Sequence, residues 1–154
     1  MLHDTNALPM KKTLMIAAVF ITAVLSPSTT FAQDPATAVW NQLQAMHTAI
    51  TETVPYDIQK YVVGKLTVSA DDKWTFNINK GFEVTVIGAC DADCTDLDIQ
   101  ILDAAGNVIV QDVLVDDRPV VTFTANANGQ FTVVATMVLC SAEPCFFGFG
   151  LMTK

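Results

Sequence analysis

Histidine, serine and basic side chains are scarce in this chain. Of 154 residues only 2 are histidine, His3 and His47, and beyond residue 32 the serines are Ser69 and Ser141. A hydrolytic centre needs nucleophile, base and orienting group within hydrogen-bond reach. One histidine on a helical stretch, and two serines without a glycine elbow, supply that set poorly. A histidine-based metal centre is equally undersupplied. Lysine and arginine number 8 against 16 acidic residues, for a formal net charge of −8. That balance argues against nucleic acid and against anionic membrane surfaces, both of which attract basic patches. Aromatics make up 8%, and beyond the phenylalanines Trp40, Trp74, Tyr56 and Tyr61 all lie away in sequence from the aspartate cluster that begins at Asp91. A glycosidase-like carboxylate pair would therefore lack the usual sugar platforms.

Long apolar runs are missing too, except at residues 14–25. That run is about a dozen residues, too short to span a bilayer comfortably. Lys11 and Lys12 precede it, Ser26-Pro27-Ser28 breaks it, and Thr30-Phe31-Ala32 offers small residues to a peptidase. The pattern predicts a cleaved secretory signal peptide, with the cut after Ala32. Residues 33–154 would then be periplasmic or secreted, with no membrane association after cleavage. Six basic residues remain there (Lys60, Lys65, Lys73, Lys80, Arg118, Lys154) against fifteen acidic ones, a net of 6 − 15 = −9.

All four cysteines fall in this exported part, as Cys90, Cys94, Cys140 and Cys145. Exported cysteines usually pair. Three connectivities are open, and the spacing favours the local pairs Cys90–Cys94 and Cys140–Cys145, because the residues between can turn tightly. Loops this short gain only about 2 kcal/mol each from chain entropy, so such bridges would shape two loops more than hold a domain. A four-thiolate zinc site is the alternative.

Residues 33–55 read as a helix and linker, with Asp34 as N-cap and Pro35 at the first helical position. Val39, Trp40, Leu43, Met46, His47 and Ile50 recur at helical spacing. This stripe either docks on the domain's own sheet or binds a partner through Val39, Trp40, Leu43 and Met46, as in a homo-oligomer. Residues 56–154 change to short alternating segments at 60–69, 73–79, 82–89, 95–102, 108–115, 120–124, 130–139 and 145–152. Turn residues separate them: Asp71-Asp72, Lys80-Gly81, Ala105-Gly106-Asn107, Asp116-Asp117-Arg118-Pro119 and Asn126-Ala127-Asn128-Gly129. Seven or eight such strands predict an all-β antiparallel sandwich, jelly-roll-like, with one N-terminal amphipathic helix. Leu97, Ile99 and Ile101 should face the core, as should Phe131, Val133, Ala135 and Met137.

What is abundant is aspartate. Asp91, Asp93, Asp96 and Asp98 lie within eight residues beside a predicted disulfide, and Asp116 and Asp117 follow on a later turn. Hard cations take six to eight oxygens from such side chains. Two unit charges about 4 Å apart repel by roughly 4 kcal/mol at an effective dielectric of 20, so real convergence would call for a cation, calcium being the candidate, or for protonation. Solvated turns are the other reading of the same residues. The spacing is not that of an EF-hand loop.

The run Asp96-Leu97-Asp98-Ile99, then Asp103-Ala104-Ala105-Gly106-Asn107, then Asp116-Asp117-Arg118-Pro119-Val120-Val121, then Gly129-Gln130-Phe131-Thr132-Val133 resembles the bacterial pre-peptidase C-terminal domain. The likeness covers residues 71–152. It departs from the family at Phe131, where tyrosine is usual, and in its cysteine pairs. Most members are appended to secreted peptidases, and none is present here. The resemblance implies an exported, non-catalytic β-sandwich that aids secretion or binds substrate, here stand-alone with a helical extension. Sequence therefore points to a non-enzymatic binding or accessory module for a protein or polysaccharide, with calcium at Asp91, Asp93, Asp96, Asp98, Asp116 and Asp117. The alternative is a structural protein that assembles through its N-terminal helix.

Overall fold

A computed structural model describes residues 33–154; the predicted leader and its cleavage site lie outside the described residues. Helix α1, Pro35–Thr51, begins as its residues dictate. Asp34 is the N-cap, its Oδ2 accepting from Thr37 N at 3.1 Å, and Pro35 occupies the first turn. Eight strands follow: β1 Asp57–Leu66, β2 Asp71–Ile78, β3 Glu83–Cys90, β4 Cys94–Leu102, β5 Val108–Asp112, β6 Val120–Thr124, β7 Gly129–Cys140 and β8 Cys145–Thr153. They form two four-stranded antiparallel sheets in the orders β1-β8-β3-β6 and β2-β7-β4-β5. That alternation of strands between two sheets is the jelly-roll arrangement expected from sequence.

The core lies between the sheets. Leu97, Ile99 and Ile101 of β4 are fully buried, as are Val133, Ala135 and Met137 of β7, and Phe131 is 7% exposed. Both inward rows are those that the alternation predicts. Each observed strand corresponds to a predicted segment. Three strands differ from expectation: β1 lies three residues earlier than 60–69, β2 takes in Asp71-Asp72 as its first residues instead of leaving them to a turn, and β5 stops at Asp112 instead of running on to Val115. The Asp112 carboxylate ends it by accepting from Leu114 N at 3.3 Å and from Val120 N at 2.9 Å, which turns the chain out of the sheet.

A second apolar cluster lies on the outer face of the β1-β8-β3-β6 sheet. Val39 and Leu43 of α1, fully buried, pack there on Ile87, Ala89 and Met152. The helix thus belongs to one compact unit with the sandwich. This corrects the alternative in which Val39, Trp40, Leu43 and Met46 bind a partner. Val39 and Leu43 have no exposed surface, Met46 packs against the same cluster, and Trp40 alone keeps 42% exposure while its ring sits edge-on to Tyr61. Burying Val39 and Leu43 is worth about 1.5–3 kcal/mol each, which a free arm would forgo.

Close approach of α1 depends on Gly148. A Cβ there would lie 2.6 Å from Val62 O and 3.0 Å from both Leu43 Cδ1 and Val39 Cγ1. Gly148→Ala should destabilise the domain by about 2 kcal/mol through overpacking. Gly129→Ala is the matched control: its Cβ would meet only Phe131 Cε2, at 4.0 Å. Urea unfolding should show a lowered midpoint for the first and none for the second.

Candidate functional site: the acidic loop end

Antiparallel pairing brings the β1–β2, β3–β4, β5–β6 and β7–β8 connections to one end of the sandwich. Both disulfides are there. Cys90–Cys94 closes the β3–β4 loop with Cα atoms 5.8 Å apart, and Cys140–Cys145 closes the β7–β8 loop with Cα atoms 5.9 Å apart. These are the two local pairs favoured from spacing, and they consume the four sulfurs a zinc site would have needed. Cys94 and Cys140 also face one another across β4 and β7. Ser141 N and Oγ donate to Asp93 O at 2.7 and 3.0 Å, and Phe146 N donates to Asp91 Oδ2 at 2.9 Å. The two cross-linked loops are therefore one stitched unit. Ser141 is spent on it, and His47 sits on α1, edge-on to Tyr61. No hydrogen bond joins either serine to that histidine among the described residues.

The β5–β6 loop, residues 113–119, rises beside this unit and is braced at its stem. Leu97 N donates to Asp116 O at 3.0 Å, Gly88 N to Pro119 O at 2.7 Å, and Arg118 N to Asp116 Oδ1 at 2.9 Å. Asp112 caps the loop from below, as described. The tip between these anchors is apolar and bare: Val113, Leu114 and Val115 are 47%, 69% and 79% exposed. Sequence reading had placed Val113–Val115 in a strand and so missed them. The clue was present in the triplet itself, three apolar residues in a row between Asp112 and Asp116-Asp117, a pattern that fits neither a half-buried strand nor an ordinary polar turn.

The six expected cation ligands do not come together as one set. Asp91 is 6% exposed and committed through Oδ2 to Phe146 N. Asp93 is exposed and serves through its main-chain carbonyl. Asp117 faces Arg118 Nε at 3.8 Å. Asp96, Asp98 and Asp116, joined by Asp112, do influence one another electrostatically. Yet among the described residues no three histidine, cysteine, aspartate or glutamate side chains are grouped as a metal ion requires. The physical reason is register. β4 begins only at Cys94, so Asp91 and Asp93 stay on the preceding turn with commitments of their own, and a bulge at Asp96 in the β4–β7 pairing takes it out of the regular register that Asp98 keeps.

The charges that remain close are uncompensated. Burial raises the Asp96 carboxyl above its ordinary value, and the charge of Asp116 adds to the shift. Asp98 is raised by burial first, then by Asp96, Asp112 and Asp116. Asp96 Oδ1 has no hydrogen-bond partner. Elsewhere carboxylates are held down instead: Asp103 by the Asn107 side chain and nearby backbone N–H groups, Glu83 by the Tyr56 hydroxyl and then by Lys154.

No protein-family model matches the chain, and no curated protein sequence matches it. Among solved structures it is similar to PliG of Aeromonas hydrophila, a periplasmic lysozyme inhibitor of g-type lysozyme. The two share 12% identity over 62% of this chain and 85% of that one, with a TM-score of 0.50. Looser likenesses are a CBM4 structure, at 8% identity over 68% of this chain and 83% of that one (TM-score 0.41), and the carbohydrate-binding module CBM36 in complex with calcium and xylotriose, at 10% over 65% and 94% (TM-score 0.36). At such identities the likeness to PliG speaks for the fold alone, and the two modules carry no argument.

Raised carboxyl values have a definite sign. From pH 3.8, the ordinary aspartate value, up through the raised native values, the folded chain holds protons that the unfolded chain has released. Stability contributed by these two groups therefore falls as pH rises through that window. Asp96→Asn should raise neutral-pH stability and flatten the fall in stability on going from pH 4 to pH 7, because an amide removes the charge that burial and Asp116 disfavour. Urea midpoints at both pH values read this directly; equal slopes in parent and variant would contradict it.

Proposed function

We propose that this chain is an exported, non-enzymatic module that binds another protein through its acidic loop end. The observation that carries the reading is the bare tip Val113-Leu114-Val115 on a braced stem. Apolar side chains held out in water by a fixed backbone are surface prepared for contact, since little ordering is left for binding to impose. Two disulfides suit an oxidising compartment, and among the described residues no helix is long and apolar enough to cross a membrane.

A protein partner fits this end better than a polysaccharide. Sugar platforms need open aromatic faces, and none of the exposed aromatics offers one at this end: Phe82 sits in the β2–β3 connection at the opposite end, and the two tryptophans are engaged. Trp74 is tied through Nε1 to Asp72 at 3.0 Å with Lys60 over its ring, and Trp40 leans on Tyr61. PliG, by its name a lysozyme inhibitor, supplies the first partner to try. Kinship with pre-peptidase C-terminal domains belongs to the same proposal. It is supported by the order of Asp96-Leu97-Asp98, the Asp103–Asn107 turn and the Gly129–Val133 segment, and it implies an accessory rather than a catalytic role. No observation favours assembly through α1, whose apolar stripe is spent on the sheet.

Calorimetric titration with a g-type lysozyme and with a panel of soluble polysaccharides tests the reading. The lysozyme should bind saturably and the polysaccharides should not. Leu114→Asp should weaken binding at least tenfold, about 1.4 kcal/mol, and leave the melting temperature unchanged because Leu114 buries little. Saturable polysaccharide binding that ignores this substitution, with no lysozyme binding, would end the proposal.

A further inference from the structure

We propose that Asp72 keeps the free edge of β2 from pairing with β2 of a second copy of this chain. An edge strand offers unpaired N–H and C=O groups to any strand of matching length. Four of the described strands lie at sheet edges: β1 and β6 in one sheet, β2 and β5 in the other. β5 and β6 have 5 residues each, and a bulge between Ile58 and Lys60 interrupts β1. β2 has neither defence. Its 8 residues run in unbroken register along β7, from Asp71 opposite Thr136 to Ile78 opposite Gly129. Just before it, Met137 N donates to Ala70 O at 3.0 Å. Backbone groups point to one side at every second residue, so the even-numbered residues of β2 bond to β7. Lys73, Thr75 and Asn77 face outward.

Asp72 closes this edge in two ways. Lys73 N donates to Asp72 Oδ1 at 2.9 Å, and Trp74 Nε1 donates to Oδ2 at 3.0 Å. The first outward N–H that an added strand would need is therefore already held by a carboxylate. Asp72 also places a charge in an apolar row. Side chains alternate along a strand, and Asp72 shares its face with Trp74, edge-on to Phe149 of the opposite sheet, and with Phe76 and Ile78, which pack on the core. A two-fold pairing of β2 with itself about Thr75 sets Trp74 against Phe76, which favours association. On the outward face it sets Lys73 against Asn77 and Thr75 against itself, so no like charges meet. Asp72 alone is mismatched: it falls opposite Ile78, where its carboxylate would lose water without gaining a donor. A second copy thus fits this edge in side-chain size and charge everywhere except at Asp72.

Sedimentation equilibrium of the oxidised chain tests this. The parent should be monomeric. Asp72→Ala should dimerise at concentrations about tenfold or more below any at which the parent does, the scale of one hydrogen bond to a charged group. Asp71→Ala is the control: it removes a neighbouring charge and its 2.8 Å ion pair with Lys73 but leaves the Asp72 cap, and it should behave as the parent. Adding Thr75→Lys to Asp72→Ala sets like charges opposite each other across the pair and should restore the monomer. Amide hydrogen exchange reads the cap in the parent without any substitution, and so decides the matter even if Asp72→Ala does not fold. The Lys73 amide should exchange more slowly than the Thr75 amide, although both face outward. Any of these results would overturn the inference: Asp72→Ala as monomeric as the parent, Asp71→Ala associating as Asp72→Ala does, a dimer that survives Thr75→Lys, a parent dimer that Thr75→Lys breaks, or a Lys73 amide exchanging as fast as that of Thr75.

Discussion

The outer face of the β1-β8-β3-β6 sheet must be kept from water, and the rest of the molecule follows from how that is done. Strands β3 and β8 are buried on both faces, one against the opposite sheet and one beneath α1. A two-sided strand cannot alternate, and it reads as an almost unbroken apolar run. Both strands do: Val84-Thr85-Val86-Ile87-Gly88-Ala89-Cys90, and Cys145-Phe146-Phe147-Gly148-Phe149-Gly150-Leu151-Met152. Gly148 lets the helix settle close. Without the helix this face would be an apolar patch of the kind that drives association. With it, the apolar stripe of α1 is spent on the sheet, Trp40 alone staying largely in solvent.

At the loop end two kinds of interaction oppose each other. Backbone hydrogen bonds and two covalent bridges draw the β3–β4, β5–β6 and β7–β8 connections together. Like charges on Asp96, Asp98, Asp112 and Asp116 push in the other sense, adding to the rise that burial itself gives the carboxyls of Asp96 and Asp98. A sequence selected for stability alone would not gather buried carboxylates there, nor leave Leu114 and Val115 in solvent. Departures from local consistency of this sort concentrate at functional sites.

Most of the scaffold could be read from the residues. Asp34-Pro35 announces the helix start, period-two alternation announces β4 and β7, and the positions of Gly81 and Gly106 mark turns where the backbone takes positive φ. The cysteine spacing led to the observed pairing. The site was less legible. Asp91 to Asp98 look like one cluster along the chain, but the first two lie on a turn before β4 and a bulge shifts Asp96 within it, and a one-dimensional list carries neither. The docking of α1 was legible as one of two choices, because periodicity tells which face is apolar but not what covers it. At Val113–Val115 the sequence offers only the unbroken apolar triplet as a sign of the tip; what turns the chain out of the sheet there is the pair of capping bonds of Asp112, which join residues up to eight apart.

Both disulfides span short stretches at one extremity, with sequence separations of 4 and 5, while the sandwich is held by an apolar interior that contains no long-range covalent tie. Covalent reinforcement is therefore local. Reduction would lengthen the tether of two loops by a few residues each and cut no tie between distant parts of the chain, so the order of the two sheets owes nothing to sulfur.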